Sequence, residues 1–208
     1  MPVTINGNGH ISGLVVGGLP NGSVDTDSIA SSAVTSAKLH NDAVTSTHMP
    51  NGTVLDFKHY QQVGDTSHST NTFTDISGFS LNLTPLAGSM VLIGFGAPKG
   101  ASTTNPVRFK VVRTKGGVAT DLGMNTTSDW QGNYATMANY VGGDNSNQIF
   151  HVNFNWVDPS PGGDGSTTIN YKIQWAIESG TAYLGKSDPA SVQQRSGGSQ
   201  FWVMEIAG

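Results

Sequence analysis

Between residues 22 and 54 the sequence repeats with a period of ten: Gly22-Ser-Val-Asp-Thr-Asp-Ser-Ile, Ser32-Ala-Val-Thr-Ser-Ala-Lys-Leu, Asp42-Ala-Val-Thr-Ser-Thr-His-Met, then Gly52-Thr-Val. Val24, Val34, Val44 and Val54 hold one phase, and Ile29, Leu39 and Met49 follow five places later. Asp25, Thr35 and Thr45 stand directly after a valine, where a side-chain oxygen can cap a helical turn. Each unit therefore reads as a turn, a cap and about one turn of helix. Such a helix is far below the ~12 to 15 residues at which an isolated helix becomes marginal in water. Two large apolar side chains per unit do not offset the entropy of ordering its backbone. Identical copies wrapped around a common axis would bring each valine and each Ile/Leu/Met position against its equivalents, and further repeats would lengthen the shared core. Residues 21–53 are therefore expected to be an intertwined stalk packed through Val24, Ile29, Val34, Leu39, Val44 and Met49. A flexible linker is the alternative, but a linker has no need of strict apolar phase.

From Val54 onward the period changes to two. Phe150, Val152, Phe154 and Trp156 alternate with His151, Asn153 and Asn155, and Ile169, Tyr171, Ile173, Trp175 and Ile177 alternate with polar residues and Ala176. Val107, Phe109 and Val111; Phe79, Leu81 and Leu83; Val91, Ile93 and Phe95; and the closing Phe201-Trp-Val-Met-Glu-Ile add further strands between Gly/Pro/Asn/Asp turns. With 27 glycines and only 12% charged residues, the composition favours turn-rich β structure over surface helices laced with Lys and Glu. The expected fold is all-β: residues 54–208 form an antiparallel sandwich of jelly-roll type, preceded by the stalk.

Composition also narrows the partners. The net charge is −4, and ten basic residues scattered along the chain form no stripe to neutralise a run of phosphates, so nucleic acid is not expected. Without cysteine there is neither a disulfide framework nor a thiolate metal site. No apolar run approaches the ~20 residues of a membrane span. The opening Met1-Pro-Val-Thr-Ile-Asn-Gly lacks a basic segment followed by an apolar one, so the expectation is a chain made and soluble in the cytosol, with no membrane insertion. The Asn-x-Ser/Thr triplets at Asn21, Asn51, Asn82 and Asn125 then carry no glycan.

Motifs that would carry chemistry fail on context. Gly180-Thr-Ala-Tyr-Leu-Gly-Lys-Ser187 has the spacing of a phosphate-binding loop, but Asp188-Pro189 follows at once and no βαβ unit surrounds it. Gly7-Asn-Gly-His-Ile-Ser-Gly13 misses the dinucleotide spacing and reads as turns. The six histidines form no close metal-ligand pair, and no Gly-x-Ser-x-Gly elbow presents a nucleophile. Asp129, Asp144, Asp158 and Asp164 are available for glycan hydrolysis, yet Asp in Gly/Asn loops is ordinarily turn chemistry. No catalytic residue and no cofactor is expected.

Binding is the better expectation. Asp129, Trp130, Tyr134 and Tyr140 combine aromatics with a carboxylate among amides, a mixture suited to stacking on sugars and hydrogen-bonding their hydroxyls, although the aromatics also fit the core of a strand pair. Residues 1–20 include Ile11, Leu14, Val15, Val16 and Leu19 among five glycines, an apolar strip able to add a strand to a partner's sheet; they are expected to anchor the chain and to order on binding.

Ala33-Val-Thr-Ser-Ala-Lys-Leu39, its looser copy at 43–49, Gly52-Thr-Val-Leu55, Phe73-Thr-Asp-Ile-Ser-Gly-Phe-Ser-Leu81, Ser179-Gly-Thr-Ala-Tyr-Leu184 and the terminal Phe201-Trp-Val-Met-Glu-Ile-Ala-Gly208 resemble tail-fibre proteins of tailed bacteriophages. The resemblance covers most of residues 20–208. It implies a homotrimer on the virion, assembled in the host bacterial cytoplasm, whose N-terminal segment docks on phage tail, baseplate or capsid proteins and whose head points outward to a host surface glycan. It carries over no catalytic residues. A capsid or neck fibre or decoration protein without a receptor, and a glycan-degrading tailspike, are the rival readings.

Overall fold

The computed structural model describes residues 4–5, 11–12, 27, 29–39, 48–103, 105–122, 137–139, 150–186 and 198–208. The chain divides into two compact units, Met1–Ala43 and Val44–Gly208. The last repeat thus belongs to the head. Its turn is tied there by the Gly52 N–H donating to the Ala207 carbonyl (2.8 Å) and the Ala207 N–H donating to the Thr53 carbonyl (2.9 Å).

In the first unit, strands β1 (Thr4–Ile5) and β2 (Ile11–Ser12) pair antiparallel. A strand therefore does precede the Gly7–Gly13 run, which the sequence reading had as turns alone. One 3-10 turn spans Ser36–Lys38, directly after the capping position Thr35, whose carbonyl accepts from the Lys38 N–H at 2.9 Å. Asp27 and His48, the equivalents of Ala37 and Lys38 in the flanking repeats, adopt the same local state.

The second unit is all-β. Its strands are β3 (Val54–Gln62), β4 (Thr66–His68), β5 (Thr74–Leu83), β6 (Met90–Ala101), β7 (Val107–Lys115), β8 (Val118–Leu122), β9 (Met137–Asn139), β10 (Phe150–Asp158), β11 (Ile169–Ile177), β12 (Ala182–Leu184) and β13 (Ser199–Ile206). Residues 90–96 of β6 pair with β13 and residues 99–101 with β12, while β10 pairs with residues 91–99. Phe95 and Lys99 each have partners on both sides, so β12 and β13 share one edge of β6 and β10 holds the other. Since β3 pairs β13 and β4 pairs β12, the first sheet has four rows: β3/β4, β13/β12, β6, β10. By the same reasoning β8 and β9 share an edge of β7, and the second sheet runs β5, β11, β7, β8/β9. Eight antiparallel rows, four to a sheet and connected in this order, have the topology of a jelly roll.

The alternating apolar residues close the core between the sheets. Phe79 on β5 meets Phe95 on β6 edge-on at 5.6 Å, Phe95 reaches Phe109 on β7 at 5.4 Å, and Tyr60 on β3 stands against Phe79 at 5.2 Å. Ile169, Tyr171, Ile173, Trp175 and Ile177 are buried, as their alternation requires. β10 departs from expectation toward its C-terminal end. Val152 is buried and Phe154 packs against the core, but Trp156 stays 37% exposed. Among the described residues β10 pairs only with β6, as an edge row with no described neighbour on its far flank. Asp158, expected in a loop, is the buried last residue of that strand.

The head has two ends. Its base, where β3 begins, carries Asp158, Glu205 and the 84–89 turn; its tip, where β6 ends and β7 begins, carries the 69–73, 102–106 and 178–181 connections.

Candidate functional site

The stalk positions are the clearest candidate. Ile29, Val34, Leu39 and Met49 are 45%, 56%, 44% and 37% exposed, among the most exposed large apolar side chains described. Val24 and Val44 lie outside the described residues. The backbone repeats along with the side chains. The Ala33 N–H donates to the Ala30 carbonyl (2.9 Å), and twenty residues on the Thr53 N–H donates to the Pro50 carbonyl (3.1 Å). The third residue of each turn has positive φ, 64° at Ser32 and 86° at Gly52. Gly22 and Asp42 occupy the same repeat position, and glycine is the residue that takes this conformation without strain. Each turn thus delivers a valine one residue after it relaxes. Each of these side chains thus keeps about two-fifths to a half of its surface exposed in the single chain.

Ile11 lies in β2, but its side chain, like Leu14, Val15, Val16 and Leu19, falls outside the described residues. Asp129, Trp130, Tyr134 and Tyr140 do as well. The described strands on either side of them in sequence are β8, β9 and β10, and the register partner of Phe150 is Lys99.

Two buried carboxylates sit at the base. Asp158 accepts from Arg113 Nη1 at 3.0 and 2.9 Å and from the Tyr171 hydroxyl at 2.9 Å. Burial, reinforced by the charge of Asp158, pushes the Tyr171 hydroxyl well above the usual phenol range, so it remains a donor. Glu205 Oε1 accepts from the Leu86 N–H (2.8 Å) and from Ser89 Oγ (2.6 Å), fixing the 84–89 turn. Both flank Val91 in the first sheet, and both are only 3% exposed. A glycosidase also uses two carboxylates, but one of them must meet the glycosidic oxygen and the other the anomeric carbon or a water. These two meet protein groups, and they serve the fold. Asp164 is likewise occupied: the backbone N–H groups of Ser166 and Thr167 donate to its Oδ1 at 2.9 and 2.6 Å, and hydrogen bonds from Thr167 and Ser166 hold its carboxyl well below the usual range. Its role is turn chemistry.

None of these partnerships was read from the sequence, though Glu205 left a trace. It occupies an inward position in Phe201-x-Val203-x-Glu205, where period two demands an apolar residue. Lys99 is the same case on β6: inward, fully buried, and lowered to about 8 by desolvation. At the tip His68 stacks on Trp175 at 5.2 Å between the Thr70 and Thr74 hydroxyls, each at 3.2 Å, and its pKa is lowered by burial. Among the described residues no group of three His, Cys, Asp or Glu side chains is placed to hold a metal ion, and no helix is long and apolar enough to cross a membrane.

No protein-family model and no curated protein sequence matches the chain. Among solved structures it is similar to a chain of the infectious bursal disease virus Gx strain, at 14% identity and a TM-score of 0.30, over 74% of this chain and 42% of that one. The VP2 subviral particle of infectious bursal disease virus gives 15% identity and a TM-score of 0.31, over 72% of this chain and 40% of that one. This chain thus spans about two-fifths of the chains it matches. At these values the likeness carries no argument for either fold or function.

Proposed function

We propose that the protein is a structural component of a phage virion: a homotrimeric tail fibre whose stalk is held together by the ten-residue repeat and whose jelly-roll head contacts the host cell surface. One observation carries the reading. Four apolar side chains that recur with the repeat, Ile29, Val34, Leu39 and Met49, remain 37–56% exposed in the single chain, whereas the head buries its own core. That division supports other copies as the cover for the stalk, while the interior of the head needs none. The tip loops, held on a rigid sandwich and unneeded for its core, are where a receptor would be met. Residues 1–20 supply the attachment to the tail, baseplate or capsid. Light scattering after size exclusion tests the assembly: the expected mass is three times 21.7 kDa. A monodisperse monomer at micromolar concentration would remove the reading. Immunogold microscopy of virions then assigns the position, and label confined to the capsid would replace the tail fibre with a capsid fibre.

A further inference from the structure

The two outer faces of the head differ in chemistry. On the second sheet the outward positions carry ion pairs, Lys172 with Asp75 at 2.9 Å and Lys110 with Asp121 at 3.0 Å. Hydrogen bonds from Gln174 and Lys172 outweigh burial and hold the Asp75 carboxyl below its usual value. This is a face suited to water.

On the first sheet the outward positions can be followed row by row from the base. The first row is Val54, Ile206 and Met90; the second is Phe57, Met204, Leu92 and Val157. The third is His59, Trp202, Gly94 and Asn155, and beyond it come Gln61, Gln200, Gly96 and Asn153. No Asp, Glu, Lys or Arg stands in any of them. The face is apolar at the base and becomes amide-rich toward the tip. Val54, Phe57 and Val157 are about half exposed, at 52%, 49% and 47%. Phe57 stacks on His59 with ring centroids 6.3 Å apart and lies 6.4 Å from Trp202. The indole of Trp202 covers Gly94, where an added Cβ would collide with the ring. Contiguous uncharged area with aromatics at its middle has the make-up of an interface core.

We propose that this outer face, in the three rows nearest the base, packs on identical copies of the same chain. The inference rests on the fibre reading and extends it from the stalk into the head. Two observations select a second copy as the occupant. Val54 is the fourth valine of the ten-residue repeat and also the first strand residue of the face, so the apolar phase of the stalk runs unbroken into the first row. The hydrogen bonds between the Pro50–Thr53 turn and Ala207 fix that junction to the sheet. Second, the face carries no charged side chain, so it offers no complement to a charged partner and can be buried against an equally uncharged copy of itself at little desolvation cost. The outer face of the second sheet would have to desolvate its Lys172–Asp75 and Lys110–Asp121 pairs.

The chain contains no cysteine, so single cysteines report on the face directly in the full-length protein. Val157→Cys and Phe57→Cys replace exposed side chains, and Ser80→Cys, exposed on the outer face of the second sheet, is the reference. The expected result is maleimide labelling at Val157→Cys and Phe57→Cys at least tenfold slower than at Ser80→Cys under native conditions, with equal rates in denaturant. If all three react at the same rate while light scattering reports a trimer, the face is solvent-exposed and the proposal falls, although the fibre reading survives. If light scattering reports a monomer, both fall together.

Discussion

Stalk and head solve the same problem, covering apolar side chains, with opposite means. In the head, Phe79, Phe95, Phe109 and Phe201 are covered by strands far apart in the same chain. In the stalk, Ile29, Val34 and Leu39 recur every five residues and stay about half exposed. A jelly roll closes because its two sheets face each other, whereas a row of short turns has no second layer. Under the proposed assembly the stalk side chains are covered by other copies while the interior of the head is covered within the chain, and substitutions should separate the two.

The largest expected effect is on association. Val34→Asp with Leu39→Asp places charge at positions that are exposed in the single chain, so the head should keep its thermal transition while the oligomer is lost by light scattering; a trimer that survives both changes would mean the stalk is not the joint. Next comes the converse. Phe79→Ala, inside the aromatic cluster, should cost the head about 3–5 kcal/mol in denaturant unfolding, since a cavity adds to the lost transfer energy. An effect below 1 kcal/mol would contradict the packing described.

Lys99 sharpens the comparison through pH. Its folded pKa is depressed to about 8 from 10.5, so the unfolded chain binds the extra proton between those values and the head gains stability as pH rises through that window. Lys99→Met should therefore stabilise the head at pH 7 by up to about 3 kcal/mol, an advantage that shrinks toward pH 10.5. A gap between the two melting curves that stays constant over pH 7 to 10.5 would refute it. The smallest effect belongs to the repeat: Ser32→Gly relieves a positive φ and should stabilise the stalk by less than about 1 kcal/mol, read as a slight rise in its melting temperature with no change in the head.

What could be read beforehand followed from regularity. Period two located β6, β7, β10, β11 and β13, because residues of one parity had to face the other sheet; period ten located the stalk turns. Departures from regularity were harder. Lys99 and Glu205 occupy inward positions with polar groups, and only the partners brought near by the fold, such as Ser89 and the Leu86 N–H for Glu205, explain how that is tolerated. Asp158 resembled a loop residue because Pro159, Pro161 and two glycines follow it, while Arg113 and Tyr171, which hold it, lie 45 and 13 residues away. Trp156 fits the alternation and still reaches solvent, since alternation reports a side chain's direction and not whether its strand has a neighbour. The joint of the last repeat with the head was legible only as Val54 belonging to both patterns.

The position of β13 has a consequence for the order of events during synthesis. The final strand, Ser199–Ile206, lies between β3 and β6, so the first strand of the head finds its partner only after nearly 150 further residues have been made. Until β13 is made, β3 lacks the one described partner it has in its sheet, and that sheet cannot close. Contacts this distant in sequence are slow to form. A chain cut before Ser199 would leave β3 and the adjoining edge of β6 both unpaired, so this one strand carries the closure of the first sheet.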